Sequence, residues 1–276
     1  MVRKALEEDV GRGDMTSQAI VPPRARARGV IRAKQAGVIA GMDVGRLCLV
    51  TLNEDVQWQA QIFDGQECSA GQILCEVEGP ATVLLAGERV ALNFLQRMSG
   101  IATMTRRMVE EVAPYGVKVV DTRKTVPGLR MLDKYAVRAG GGSNHRFGLD
   151  DGVLIKENHI AVAGGIAPAI RRVKDVLGHM VKVEVEVTDL KELEEALAEG
   201  VDAALLDNMS PTQMQEGVTL AGGRCLLEAS GNITLENCRE IAQTGVDLMS
   251  VGWLTHSVKA LDLSMIVTVG GVAANV

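Results

Sequence analysis

The hydrophobic pattern of the chain changes character near residue 115. Before that point, short β-rich stretches alternate with turn residues, and one apolar run has helical spacing. The predicted strands are Arg28–Lys34, Val56–Phe63 and Gln72–Val77, and the predicted helix is Met42–Leu52. This mixture is typical of a small α+β domain. From Gly87 to Val112 the apolar residues recur at helical spacing with few breakers, which predicts a long linking helix.

After Tyr115, short β-branched runs alternate with amphipathic helical runs. The six predicted strands are Val117–Thr122, Val153–Lys156, Val181–Val187, Ala203–Asp207, Cys225–Ser230 and Asp247–Val251. Strands that alternate with helices favour a parallel sheet, because each crossover returns over the sheet with the same hand. The pattern therefore predicts an enclosed α/β barrel.

Charged or small polar residues end nearly every one of these strands. The endings are Asp121–Lys124, Lys156–His159, Glu184–Glu186, Asp207–Asn208, Glu228–Gly231 and Ser250–Gly252. Barrel active sites lie at the carboxyl ends of the strands. Any single ending could be a solvated strand end or an internal ion pair. Agreement among six endings favours a site, because burying unpaired charge costs several kcal/mol.

Alternation along each strand predicts which of these side chains share a face. Glu184 and Glu186 point to one side of their strand, and the valines between and around them point to the other. We expect the valines to face the helices and the glutamates to face the barrel axis. The same alternation pairs Asp121 with Arg123 and Glu228 with Ser230, so charges of both signs should converge on one opening.

Composition narrows the class of protein. The 276 residues are 47% hydrophobic and carry a net charge of -6, with a pI near 5.4. This balance argues against nucleic acid or an anionic membrane as a partner. The chain has neither an apolar run of membrane-spanning length nor a signal-peptide region at its start, so we expect a cytoplasmic protein. Five cysteines without a Cys-x-x-Cys pair predict reduced structural thiols.

Within this acidic chain, residues 121–146 form a local basic region. Arg130, Lys134 and Arg138 recur every four residues on the predicted helix Gly128–Ala139, so we interpret them as a solvated or dimer-facing stripe. Arg123 and Lys124 directly follow a strand, and the glycine-rich loop Gly140–Arg146 lets backbone approach a ligand. Guanidinium and ammonium groups in this arrangement predict a substrate with several carboxylate or phosphate groups.

Histidines at other positions are interpreted as structural. His145 is the exception, because it adjoins Arg146 on the glycine-rich loop.

Several long motifs in this order resemble the quinolinate phosphoribosyltransferases, also called carboxylating nicotinate-nucleotide pyrophosphorylases. The motifs are Asp121-Thr-Arg-Lys-Thr-Val-Pro-Gly-Leu-Arg130, Lys134-Tyr-Ala-Val-Arg138, Gly140-Gly-Gly-Ser-Asn-His-Arg146 and Ile155-Lys-Glu-Asn-His159. Further similarity covers Glu7–Asp14, Gln96–Thr103 and Val251–Ser257, so the resemblance spans almost the whole chain.

The resemblance implies an α/β fold with an N-terminal α+β sandwich domain and an incomplete TIM-like α/β barrel. We place the first domain at residues 1–95, the barrel at 96–257 and a C-terminal segment at 258–276 that packs back on the first domain. The resemblance also implies a homodimer or a higher oligomer, in which each active site is built from two subunits.

Residue roles follow from the same resemblance. The quinolinate carboxylates are expected to meet Arg123, His145, Arg146 and Lys156, with Thr122 beside them, Lys124 between the two substrates and Arg89 supplied by the partner subunit. Glu186 and Asp207 are expected to hold the ribose hydroxyls of phosphoribosyl pyrophosphate and to bind Mg²⁺ directly or indirectly. Ser230, Gly231 and Asn232 match one phosphate-binding loop, and Val251, Gly252 and Trp253 match another. Trp253 is bulkier than the family pattern, which weakens that last match.

The implied reaction joins quinolinate to the phosphoribosyl group, releases pyrophosphate and CO₂, and yields nicotinate mononucleotide for NAD biosynthesis. Lys124, Lys156, Glu186 and Asp207 are the predicted catalytic residues. Three alternatives remain open from the residues themselves. Lys156 at a strand end suits a Schiff-base aldolase. A non-catalytic homologue, associated with molybdate transport or sensing pyridine metabolites, would bind ligand only. A nicotinate phosphoribosyltransferase would act without decarboxylation.

Overall fold

The computed structural model describes residues 1–269 and 272–273. Within it the chain divides into two compact units. The first comprises residues 1–106, 126–141 and the segment from 257 onward, and the second comprises residues 107–125 and 142–256. This division is less contiguous than the three ranges expected from sequence, which stay a prediction. Residues 270–271 and 274–276 of the expected C-terminal segment lie outside the described residues.

Helices and strands are numbered in chain order. The helices are α1 (Val2–Val10), α2 (Met15–Ile20), α3 (Met42–Leu52), α4 (Ala81–Val112), α5 (Arg130–Ala139), α6 (Glu157–Ala163), α7 (Ile166–Val176), α8 (Leu190–Ala198), α9 (Pro211–Ala221), α10 (Cys238–Ala242) and α11 (Trp253–His256), with a 3-10 turn at Ala113–Tyr115. The strands are β1 (Arg26–Ala33), β2 (Gly37–Val38), β3 (Gln57–Ala60), β4 (Glu67–Cys68), β5 (Ile73–Pro80), β6 (Lys118–Val120), β7 (Val153–Ile155), β8 (Val183–Val187), β9 (Ala203–Asp207), β10 (Leu226–Ser230), β11 (Leu248–Ser250), β12 (Leu263–Val269) and β13 (Val272–Ala273).

An antiparallel sheet forms the centre of the first unit, in the order β13-β12-β1-β5-β3. Buried and exposed residues alternate along β1, so Ile31 and Ala33 enter the core while Arg28 stays outside. Leucines of α3 and α4 complete that core, including Leu49 and Leu92. The C-terminal strand β12 pairs with β1 from Ala27↔Val269 to Ala33↔Leu263. The predicted α+β character of this part of the chain is confirmed.

The long helix α4 begins six residues before the predicted Gly87. The segment Ala81–Ala86 is rich in good helix formers and contributes the buried residues Ala81 and Leu84 to the core. Gly100 lies within α4 where the backbone of residues 259–260 passes very close: an added Cβ would lie 2.3 Å from the Lys259 carbonyl oxygen. Only glycine fits this contact.

Helix α5 packs into a second cluster of buried residues in the first unit, to which Leu132, Ala136 and Val137 contribute. The interpretation of Arg130, Lys134 and Arg138 as one solvated stripe is wrong for Lys134, whose side chain is buried. The neighbouring Asp133 is also buried and accepts a bidentate pair of hydrogen bonds from Arg97 at 2.8 and 2.9 Å. The apolar face of α5 is wider than the charge pattern indicates.

Six parallel strands form the sheet of the second unit, in the order β6-β11-β10-β9-β8-β7. Among the described residues, the edge strands β6 and β7 share no ladder. The loop Gly140–Arg146 instead adds a single parallel bridge to β6, between Val120 and Ser143. The α/β class and the incomplete barrel are therefore confirmed, whereas the enclosed barrel predicted from the strand pattern is wrong, because the sheet of the described residues is not closed. Most of the strands are one to three residues shorter than predicted, because both polar and apolar residues at their ends belong to the loops.

Within residues 1–269 and 272–273, none of the helices combines the length and hydrophobicity needed to span a bilayer.

Replacing Gly100 with alanine should destabilise the first unit. Alanine gains about 1 kcal/mol of helix propensity, but a methyl group pressed against backbone atoms costs about 1–3 kcal/mol. We expect a net loss of up to about 2 kcal/mol, measured by urea unfolding. Gly178→Ala is the control, because its added Cβ meets nothing within 4 Å and its φ is not positive. Equal stability of the two variants would contradict the crowded contact.

Candidate active site

A cavity of about 370 Å³ opens at the carboxyl ends of the parallel strands of the second unit, and we name it the carboxyl-end cavity. It is lined by Thr122, Arg123, Lys124, His145, Arg146, Leu154, Lys156, Glu186, Leu205, Asp207, Glu228, Ser230 and Ser250. Nine of the residues predicted from sequence therefore lie in one place. We call Arg123, Lys124, Arg146 and Lys156 together the basic wall.

Strand alternation explains how the acidic residues reach this cavity. Val183, Val185 and Val187 of β8 are buried, whereas Glu184 and Glu186 on the opposite face are partly exposed. Glu186 lines the cavity, together with Asp207 at the end of β9. The predicted orientation of β8, with valines in the core and glutamates toward the barrel interior, is confirmed.

The glycine-rich loop is held by the buried carboxylate of Asp121. This carboxylate accepts hydrogen bonds from Asn144 Nδ2 at 2.5 Å and from the His145 backbone N–H at 2.9 Å. The backbone adds two bonds, from Ser143 N–H to Val119 O at 2.8 Å and from Asp121 N–H to Ser143 O at 3.2 Å. Asp121 therefore anchors the loop, and the prediction that it faces the opening beside Arg123 is wrong.

Lys124 is fixed by its backbone. Its N–H donates to Thr122 Oγ1 at 3.0 Å, and its carbonyl oxygen accepts from Thr255 Oγ1 at 2.9 Å. Gly252 allows this approach, because an added Cβ would lie 2.9 Å from Lys124 Cδ. The side chain of Lys124 is thus directed by a rigid backbone segment while remaining exposed.

Arg123 lies close enough to Arg146 to disfavour the charge of the Arg146 guanidinium. Burial lowers the pKa of the Arg146 guanidinium, the neighbouring Arg123 lowers it further, and Glu184 partly offsets both. Arg146 Nη1 also donates to the Gly152 carbonyl oxygen at 2.9 Å, which fixes the guanidinium in place. An anion that binds between two neighbouring guanidinium groups reduces the repulsion between them.

The acidic side of the cavity is ion-paired and hydrogen-bonded. Lys156 Nζ forms an ion pair with Glu186 Oε2. Asp207 Oδ2 accepts from Asn208 Nδ2 at 2.9 Å, and Asn208 Oδ1 accepts from Asn232 Nδ2 at 3.1 Å. The loops that follow β9 and β10 are therefore joined by two asparagines, both of which have a positive φ.

Two sequence profiles match this chain. The profile of the quinolinate phosphoribosyl transferase C-terminal domain matches residues 101–266, and that of the N-terminal domain matches residues 14–99. The chain belongs to the quinolinate phosphoribosyl transferase family.

Named relatives and solved structures agree with this family. A probable carboxylating nicotinate-nucleotide pyrophosphorylase from Bacillus subtilis strain 168 is 48% identical over 261 residues, which are 95% of this chain and 90% of the relative. The NadC structure from Streptococcus pyogenes is 43% identical with a TM-score of 0.94, covering 97% and 95% of the two chains. The nicotinate-nucleotide pyrophosphorylase from Francisella tularensis is 41% identical with a TM-score of 0.93, covering 97% and 94%.

Other predicted residues of this family member lie around the cavity or away from it. Asn232 and Trp253 flank it, and the Trp253 indole N–H donates to the Ile233 carbonyl oxygen at 2.7 Å. Gly231 packs so tightly that an added Cβ would lie 2.1 Å from Asn208 Oδ1. Val251 is buried, and Arg89 is exposed on α4 of the first unit. Their roles in substrate binding stay predictions.

The sequence pattern places Glu184 and Glu228 at strand ends, but they are not among the predicted site residues. His145 connects them: its Nε2 lies 3.0 Å from Glu184 Oε2 and 3.9 Å from Glu228 Oε2. Its Nδ1 accepts the Arg146 backbone N–H at 2.7 Å, so a neutral ring carries its proton on Nε2. We call His145, Glu184 and Glu228 the floor cluster. Alternation along β8 and β10 was the signal that could have identified it.

Glu228 is the most deeply buried acid of this cavity. Burial raises the pKa of its carboxyl group to about 7, and the nearby Glu184 adds to the rise. His145, a hydrogen bond from Ser250 and Lys156 act in the opposite direction. Within the described residues, neither Glu184 Oε1 nor Glu228 Oε1 has a hydrogen-bond partner.

Replacing Glu228 with glutamine should change how stability depends on pH. The carboxyl group titrates near 4.5 when unfolded and near 7 when folded, so the native state keeps its proton longer. Stability from this group is therefore present below pH 4.5 and is lost as the pH rises toward 7. This rise in pKa corresponds to about 3 kcal/mol in the free energy of unfolding. The wild type should lose this stability as the pH rises, and Glu228→Gln should keep it.

Urea unfolding of both proteins between pH 5 and 8 measures this difference. Parallel curves for the wild type and Glu228→Gln would contradict a raised pKa at Glu228.

Proposed function

We propose that the carboxyl-end cavity catalyses transfer of a phosphoribosyl group from phosphoribosyl pyrophosphate to quinolinate, with loss of CO₂. The products are nicotinate mononucleotide and pyrophosphate, and the role is in NAD biosynthesis. The observation that carries this function is the basic wall, four cations that face Glu186 and Asp207 across one cavity in a member of this family.

Charge supports a dicarboxylate substrate. Arg123 disfavours the charge of the Arg146 guanidinium, so binding of a carboxylate between the two guanidinium groups is favourable. The planar guanidinium groups suit bidentate contacts, and Lys156 supplies a compact third charge. A ring with two adjacent carboxylates uses more of these cations than nicotinate, which has one.

The residue roles proposed for quinolinate follow this charge distribution. Arg123, Arg146 and Lys156 bind its carboxylates, and Thr122 and His145 complete that side of the site. Lys124 lies between the two substrates. Before substrate binds, Lys156 and Glu186 compensate each other's charge. When substrate binds, this ion pair opens, or Lys156 contacts Glu186 and the substrate together.

The sugar donor is assigned to the opposite side. Glu186 and Asp207 hold the ribose hydroxyls, and the loops at 230–232 and 251–253 bind phosphate through backbone N–H groups. The Asn208–Asn232 hydrogen bond joins the loops that follow β9 and β10, so Asp207 and Ser230 keep a fixed spacing. A preorganised site of this kind accelerates transfer mainly through orientation and charge.

The chemistry proceeds in two stages. The ring nitrogen attacks the anomeric carbon as pyrophosphate departs, with inversion and positive charge on the ribose in the transition state. The pyridine ring is then cationic, so it accepts the electron pair left at C2 when the 2-carboxylate leaves as CO₂. The basic wall keeps the ring in place through both stages.

Magnesium is the proposed cofactor. Carboxylate oxygens are the ligands that this hard cation prefers, and Glu186 and Asp207 present such oxygens in one cavity. The donor set therefore fits the ion, either directly or through water. When bound, Mg²⁺ supplies neutralisation of the departing pyrophosphate.

We further propose a cytoplasmic homodimer in which Arg89 of one subunit reaches the quinolinate site of the other. The support is the family resemblance together with the exposure of Arg89 on α4. No specific observation favours the aldolase, the transport-associated homologue or the nicotinate-specific enzyme.

Incubation of the purified protein with quinolinate, phosphoribosyl pyrophosphate and Mg²⁺ tests the function directly. We expect nicotinate mononucleotide, pyrophosphate and CO₂ in equal amounts. Nicotinate in place of quinolinate is the control and should give little product. If nicotinate gave product and quinolinate did not, the reaction would be phosphoribosyl transfer without decarboxylation.

Arg146→Ala should reduce kcat/KM for quinolinate by about 100-fold or more, because one charge-assisted bidentate contact is lost. Arg146→Lys should recover only part of this loss, since an ammonium cannot form the planar fork. Arg171→Ala is the matched control: Arg171 lies in the same unit, is exposed and pairs with Glu199. Near-normal activity of Arg146→Ala would remove Arg146 from the site.

Removal of divalent cations with a chelator should abolish turnover, and added Mg²⁺ should restore it. Asp207→Asn should raise the Mg²⁺ concentration needed for half-maximal activity by about tenfold, because one anionic ligand is lost. Asp189→Asn, on the exposed N-cap of α8, is the control. Full activity in the presence of chelator would exclude the metal from the mechanism.

A further inference from the structure

The floor cluster lies between two cavities of the second unit. His145 and Glu228 line the carboxyl-end cavity, and together with Glu184 they also line a second cavity of about 490 Å³. The second cavity is bordered by the first residues of several strands, among them Lys118, Val153, Val183, Ala203 and Leu248. The cluster thus borders a cavity at each end of the strands.

One imidazole and two carboxylates meet in this cluster. The His145 nitrogen and one carboxylate oxygen each from Glu184 and Glu228 lie within 4.8 Å of one another. The Glu228 side chain is only 2% exposed, and its Oε1 has no hydrogen-bond partner among the described residues. Burial raises the pKa of the Glu228 carboxyl group, and the negative charge of Glu184 adds to the rise, so Glu228 holds its proton more strongly than an ordinary glutamate.

The reaction assigned to the site needs such a proton, and the basic wall is poorly suited to provide it. After CO₂ departs, C2 of the pyridine ring holds an electron pair and has to accept a proton. Guanidinium groups do not deprotonate in proteins. The ammonium of Lys156 is paired with Glu186. Lys124 and Lys156 are the candidates for this proton that the sequence offers without assigning either, and Lys124 is exposed to solvent.

We propose that Glu228 is the acid that protonates C2 of the pyridine ring after decarboxylation, with His145 and Glu184 as its positioning residues. This inference rests on the proposed function and deepens it. The bond between C2 and the carboxylate breaks, its electron pair stays on C2, and the Glu228 proton forms the new C–H bond. Glu228 becomes a carboxylate, and CO₂ leaves without any oxidant or reductant.

The surroundings of Glu228 support both steps. The groups that face it are Glu184 from β8, His145 from the glycine-rich loop, Lys156 after β7 and Ser250 from β11. Burial and Glu184 favour the protonated form before reaction, and His145 and Lys156 stabilise the carboxylate afterwards. The second cavity gives water a route to restore the proton from the end opposite the substrates.

Single-turnover kinetics of Glu228→Gln with quinolinate, phosphoribosyl pyrophosphate and Mg²⁺ test this role. We expect pyrophosphate release within about threefold of wild type, and nicotinate mononucleotide formation slower by about 100-fold, the usual contribution of a general acid. The undecarboxylated nucleotide should accumulate between the two events. Glu228→Asp should recover part of the second rate, and Glu111→Gln, at a surface ion pair, should behave as wild type.

Other outcomes separate the inference from the function itself. An equal loss of both rates in Glu228→Gln, or no loss of either, would overturn the role of Glu228 while leaving the transferase intact. Wild-type protein that releases no pyrophosphate from the two substrates would instead refute the proposed function. If Glu228→Gln does not fold, the wild-type pH profile decides. Decarboxylation should slow as Glu228 ionises, whereas a rate independent of pH between 6 and 9 would overturn the proposal.

Discussion

The buried carboxylate of Asp121 determines where the anion-binding groups lie. It holds the glycine-rich loop through Asn144 and the backbone of His145, and the next residue along that loop is Arg146. A loop with three consecutive glycines is costly to order, so it needs strong internal partners. Hydrogen bonds to a charged acceptor are the strong kind, about 1.5–3 kcal/mol each. Asp121 therefore holds the backbone from which His145 and Arg146 extend toward the cavity.

Charged side chains of the cavity have partners before substrates bind. Lys156 pairs with Glu186, and Arg146 is fixed by the Gly152 carbonyl oxygen while Glu184 partly offsets its repulsion from Arg123. A substrate with several negative charges therefore replaces existing partners of these cations and does not meet cations without partners. Groups held in place before binding need little reorganisation, which is the condition under which charge stabilises a transition state efficiently.

Much of this arrangement could be predicted from sequence. Period-two alternation in Val183–Val187 placed Glu186 in the barrel interior, and the apolar spacing of Met42–Leu52 gave the limits of α3. Direct succession after strands placed Arg123, Lys124 and Asp207 at the opening. In each case a local pattern determines the geometry, because a strand or a helix has only one way to present its faces.

The remainder depends on contacts between distant segments. The sequence pattern places Asp121 at the opening, because a local pattern does not show its hydrogen-bond partners. These are Asn144 and His145, which lie more than twenty residues away along the chain. The burial of Lys134 reflects packing of α5 that its charge pattern conceals. Glu184 and Glu228 were each visible as strand residues, but their meeting at His145 requires the curvature of the sheet, which a sequence pattern does not encode.

The pairing of β12 with β1 bears on how the polypeptide acquires its structure during synthesis. The two partners are separated by more than two hundred residues, so β1 waits for nearly the whole chain to be translated before that side of it is covered. Contacts of such long sequence separation are slow to form and leave a strand edge exposed meanwhile. The second unit contains no residue beyond 256, so its sheet does not depend on β12.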